Sequence, residues 1–119
     1  MKKILVVDDS TAIRNILKLA LFENYEVLEA ENGKEALDKS RGAGVSLFLL
    51  DVNMPVMDGI SLVKELRTTS DYSKTPIIML TTESRDDKKQ AGKDAGANGW
   101  IVKPCEPENL LSIIQKMLS

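Results

Sequence analysis

The chain contains no histidine. A histidine-based triad, a histidine general base and a histidine metal site therefore cannot be built from this chain alone. It has one cysteine, Cys105, so no internal disulfide can form, and an intracellular setting is expected. No apolar run approaches the roughly eighteen residues of a membrane span, and the run within MKKILVVDD is too short for a signal peptide. Low-complexity tracts and internal repeats are also missing. Nor does one charge dominate: 16 basic against 18 acidic side chains leave a formal charge of −2 and no broad basic field. No nucleic-acid partner is expected.

What is there is an ordinary globular composition, 43% hydrophobic and 29% charged over 119 residues. A domain of this length buries roughly two thirds of the surface of its unfolded chain and folds without staples. A single domain over 1–119 is expected, cytoplasmic and monomeric, with no effector domain attached.

The hydrophobic pattern alternates between two periods. KILVV (3–7) is a continuous apolar run ending at Asp8 and Asp9, as in a strand buried on both faces. Ile13, Ile16, Leu17, Ala20 and Leu21 then recur at helical spacing. Residues 25–29, YEVLE, partly alternate apolar with acidic and suit an edge strand, and Asn32-Gly33 punctuates before a short helix with Ala36 and Leu37. VSLFLL (45–50) reads as a third strand. Asp58 suits the cap of a helix carrying Ile60, Val63 and Leu66. Pro76 introduces a fourth strand at 77–80, and a polar helix follows over 84–95. Trp100-Ile101-Val102 is a fifth strand, and the last helix begins near Pro107. The result is (βα)₅, an α/β fold with a doubly wound parallel sheet, in which ligands gather beyond the carboxyl ends of the strands.

At those ends stand Asp8 and Asp9, Asp51, Thr81 and Lys103. The first loop offers two carboxylates where a nucleotide binder would offer glycines and bare amides, so a phosphate approaches only with a cation between. Clustered carboxylates either raise a pKa or recruit a divalent ion, and in a wet cleft the ion is the favoured outcome. An all-oxygen set selects a hard cation, and Mg²⁺ suits one or two carboxylates with a phosphate. Asp51 is then the natural nucleophile, forming an acyl phosphate whose charge Mg²⁺ and Lys103 neutralise while Thr81 donates a hydrogen bond.

The pieces D-D at 8–9, D-V-N-M-P-V-M-D-G at 51–59, L-T-T-E at 80–83 and G-W-I-V-K-P at 99–104 together resemble a two-component response-regulator receiver domain, over the whole chain. The resemblance implies a flavodoxin-like strand order 2-1-3-4-5. It implies that a histidine kinase phosphorylates Asp51, that Asp9 and Asp51 bind Mg²⁺ directly with the Asn53 carbonyl oxygen, and that Asp8 acts mainly through water. It further implies that Lys103 contacts the phosphoryl group. The resemblance implies as well that on phosphorylation Thr81 turns toward that group, Trp100 moves inward, and the surface of helix four, strand five and helix five is reshaped. It also suggests a cis Lys103-Pro104 bond. The tract K-Q-A-G-K-D-A-G-A-N-G-W-I-V-K-P is similar to chemotaxis regulators and points to an output partner such as a flagellar-motor switch component. A phosphorelay intermediate is the alternative within the family.

Small aspartyl phosphatases of the haloacid dehalogenase type also use a strand-end Asp with Mg²⁺, Thr and Lys. They carry Asp-x-Asp where this chain has Asp51-Val52-Asn53, so the acid that would act as general acid/base is missing. Seen alone, Asp8 reads as the cap of helix one and Asp9 as a solvated loop acid; their partners at 51, 81 and 103 favour the cluster. The methionines, including Met54 and Met57, read as gap-filling core residues, and Cys105 as a small unreactive one. Trp100 replaces the more usual tyrosine or phenylalanine, so its bulk bears on any rotation. Residues 83–99 have few apolar anchors and include Gly92, which costs up to ~1 kcal/mol relative to alanine in a helix. They form either a solvated helix or a mobile switch helix.

Overall fold

Strands and helices alternate along the chain: β1 (Lys3–Val7), α1 (Thr11–Leu21), β2 (Glu26–Ala30), α2 (Gly33–Ser40), β3 (Val45–Leu50), α3 (Gly59–Thr68), β4 (Ile77–Thr81), α4 (Asp86–Ala95), β5 (Gly99–Val102) and α5 (Pro107–Leu118). A 3₁₀ turn at Ser70–Tyr72, which the sequence pattern did not suggest, follows α3. The structure is a computed structural model and describes the chain except residues 53, 55, 82–85, 104, 105 and 119 and the side chains of 86–88. The expectations for Asn53, for the Lys103-Pro104 bond and for Cys105 lie outside the described residues.

The strands pair in parallel in the order β2-β1-β3-β4-β5, with β2 at an edge as its mixed pattern suggests. β2 begins one residue later than expected. The Tyr25 amide donates to the Leu21 carbonyl to close the turn after α1, and pairing starts when the Glu26 amide reaches Lys2.

Alternation along each strand feeds two cores. Leu5, Val7, Phe48 and Leu50 face α2 and α3, joining Ala36, Leu62, Val63 and Leu66. Ile4, Val6, Leu47 and Leu49 face α1 and α5, joining Leu17, Leu21, Leu110 and Ile114. Phe48 meets the buried Tyr72 edge to face at 5.0 Å. Asp58 caps α3 by accepting from the Ser61 amide at 2.7 Å. Asp8 does not cap α1. Ser10 does, accepting from Ile13 at 3.3 Å, while Asp8 Oδ1 accepts from the Ser10 amide at 2.9 Å.

Candidate functional site

Parallel register sets Val7 beside Leu50, so the residues that follow, Asp8 and Asp51, leave the sheet side by side. The Asp51 amide donates to Val7 at 2.9 Å and the Asp8 amide to Ala30 at 3.1 Å, extending the ladder into the site. Asp8 is 2% exposed and Asp51 9%, whereas Asp9 is open to solvent. One carboxylate oxygen from each of Asp8, Asp9 and Asp51 lies within 4.8 Å of the other two. At an effective dielectric of about 20, each such pair repels by at least about 3 kcal/mol.

Lys103 enters this cluster from β5. Its ammonium donates to Asp8 Oδ2 at 2.8 Å and stands 3.8 Å from Asp51 Oδ2. One lysine thus reaches two of the three clustered carboxylates. The donors are oxygen alone, and the exposed Asp9 leaves the cluster open to water on one side. A hard, strongly hydrated cation that tolerates few protein ligands fits such a set, and Mg²⁺ is one.

Thr81 ends β4 fully buried, and its carbonyl accepts from the Lys103 amide at 2.7 Å. Asp8, Asp9, Asp51 and Lys103 are thus brought together, with Thr81 on the adjoining strand end. Trp100 stands apart from the acids. It pairs with Met79 while Val102 pairs with Thr81, so Thr81 and Trp100 lie diagonally on one face of the sheet. The half-buried indole packs on the core that includes Met79.

Three supports escaped the sequence reading. Arg14 donates to the carbonyl of Asp8 and pairs with Glu29 at 3.4 Å, holding the β1–α1 loop. A Cβ on Gly59 would come within 2.2 Å of the Asp51 carbonyl oxygen, so only glycine lets α3 start against that peptide. Gly33 meets Met57 in the same way, at 2.8 Å. The Asp58-Gly59 and Asn32-Gly33 pairs were the available signals, but the first read as a helix cap and the second as punctuation.

The sequence model of the family described as the response regulator receiver domain matches residues 4–115. The chemotaxis protein CheY1 of Helicobacter pylori is 43% identical over 119 residues, covering 98% of this chain and 96% of that protein. The transcriptional regulatory protein ResD of Bacillus subtilis is 42% identical over 117 residues, covering 98% of this chain but 48% of ResD. The chain thus spans about half the length of that transcriptional regulator and nearly all of the chemotaxis protein. Among solved structures, chemotaxis protein CheY4 of Vibrio cholerae superposes with a TM-score of 0.95 at 50% identity, over 99% of both chains.

Proposed function

The chain belongs to the response regulator receiver domain family, and from that premise we propose that Asp51 accepts a phosphoryl group from a histidine kinase. The observation that carries this reading is the cluster itself: a nearly buried Asp51 with two neighbouring carboxylates and the Lys103 ammonium 3.8 Å away.

In the proposed step an Asp51 carboxylate oxygen attacks the phosphorus of the donor phosphohistidine. An O–P bond forms as the P–N bond breaks, and the imidazole leaves, taking a proton from solvent. Lys103, now bonded to Asp8, is close enough to Asp51 to donate to a phosphoryl oxygen instead. The Thr81 hydroxyl donates to another. Asp8, Asp9 and Asp51, with the Asn53 carbonyl, would hold Mg²⁺, which supplies positive charge against the phosphoryl oxygens. Water later attacks the acyl phosphate and restores the carboxylate, so the domain promotes its own dephosphorylation.

The altered surface of α4, β5 and α5 is the proposed output, read by a partner protein. Support for a chemotaxis role, with a flagellar-motor switch component as partner, comes from the near full-length likeness to chemotaxis proteins. Incubation with Mg²⁺ and either acetyl phosphate or a histidine kinase charged with ATP should add one phosphoryl group per chain by intact mass. Asp51→Asn, nearly equal in volume, should add none while keeping its circular dichroism. Multiple turnover of a phosphate monoester, or full labelling of Asp51→Asn, would overturn the assignment.

A further inference from the structure

Gly92 lies inside α4, where glycine is less favourable than alanine. It is buried, and a Cβ there would stand 3.0 Å from Trp100 Cζ3, 3.2 Å from Cε3 and 3.7 Å from Met79 Cγ. The six-membered ring of the indole therefore rests on the helix backbone, with Met79 of β4 beside it. We propose that Gly92 is the positioning residue for Trp100: lacking a side chain, it leaves a notch in α4 that holds the indole half-buried against the helix.

A methyl group would fill the notch. Its contacts of 3.0 and 3.2 Å are shorter than the roughly 3.5–4.0 Å at which carbons attract, so one partner has to move by several tenths of an ångström. The C-terminal end of α4 is tied to α3, whose Arg67 donates to the Gly96 carbonyl at 3.0 and 2.8 Å. Met79 is fully buried in β4. The indole has room, because a cavity of about 240 Å³ lined by Lys89, Lys93, Ala97, Asn98 and Gly99 adjoins it. Trp100 thus yields outward. The large aromatic at 100 and the missing side chain at 92 form a matched pair.

A consequence for regulation rests on the reading of Trp100 as the switch aromatic. If the acyl phosphate favours the ring seated in the notch, a substitution that disfavours that seat weakens the response by the same factor.

Trp100 is the sole tryptophan, so its emission reports the notch directly. Gly92→Ala should shift that emission to longer wavelength without any ligand; an unshifted spectrum would overturn the notch. A stability cycle gives a second test. In Trp100→Ala the methyl meets no ring, and Gly92→Ala should raise the urea midpoint; with Trp100 present it should lower the midpoint or leave it unchanged. An equal rise in both backgrounds would also overturn the notch. Beryllofluoride with Mg²⁺, titrated by the same emission, should need about five-fold more fluoride complex in Gly92→Ala. An unchanged titration midpoint with a shifted spectrum upholds the notch and sinks only the switch reading.

Discussion

Val56 is the single non-glycine among the described residues with a positive φ, 70°. It is β-branched, 75% exposed, and lies in the loop between Asp51 and α3. For an L residue this conformation costs roughly 1–2 kcal/mol, and so exposed a side chain recovers little of that by packing. Val56 precedes Met57, whose carbonyl accepts from the Gly33 amide at 3.3 Å, so the unusual dihedral helps bring this loop against α2. Val56→Gly should therefore raise stability by about 1 kcal/mol in urea denaturation, the relief of strain exceeding the added entropy of glycine. Labelling of Asp51 should persist. A destabilised Val56→Gly would mean that the exposed valine makes a contact worth more than its strain.

At the scale of elements, α4 carries no apolar side chain larger than alanine, and its C-terminus is secured from outside. Gly96, at φ +116°, ends it with the paired bonds of a Schellman turn. Arg67, from α3, then donates to the Gly96 carbonyl at 3.0 and 2.8 Å, to Tyr72 at 2.9 Å, to Thr75 at 2.7 Å and to Asn98 Oδ1 at 2.8 Å. Burial pushes the guanidinium pKa below its ordinary value, yet arginine stays charged in proteins. One side chain thus joins α3, the 3₁₀ turn, the approach to β4 and the α4–β5 loop. Arg67→Ala should cost about 2–4 kcal/mol, and Arg67→Lys should recover only part, because an ammonium cannot reproduce the planar fork. Urea unfolding checks both. Since Arg67 acts at the end of the sheet away from Asp51, the folded fraction should still be labelled; loss of labelling would show that the clasp reaches the site.

For the whole molecule, carboxylates from two strand ends repel in the native state and are separated in the unfolded chain, so a cation that binds the cluster stabilises the fold by linkage. Mg²⁺ at a hundred-fold excess over its dissociation constant should add about 2.7 kcal/mol and raise the melting temperature. Asp9 is exposed, so Asp9→Ala should leave the cation-free fold intact yet reduce the rise. An equal Mg²⁺ effect in Asp9→Ala would remove Asp9 from the site. Among the described residues no helix is long and apolar enough to cross a membrane.

The amino-acid sequence by itself determined the alternation of strands and helices, the buried strands β1, β3 and β4, and the acids that follow β1 and β3. Each of these is written in short windows: an apolar run, a helical period, a charge where the run stops. β3 falls at 45–50 as its VSLFLL pattern indicates. Only the tertiary structure decided which partners those residues meet. Lys103 bonds Asp8 across 95 positions of chain, and no local pattern distinguishes Asp8 from Asp51 as its nearer partner. The same holds for Gly92, which reads in the sequence as a weak point of a polar helix. Its use appears only when β5 lays the Trp100 ring against it, because sheet register, a property of pairing between distant segments, sets where that ring falls.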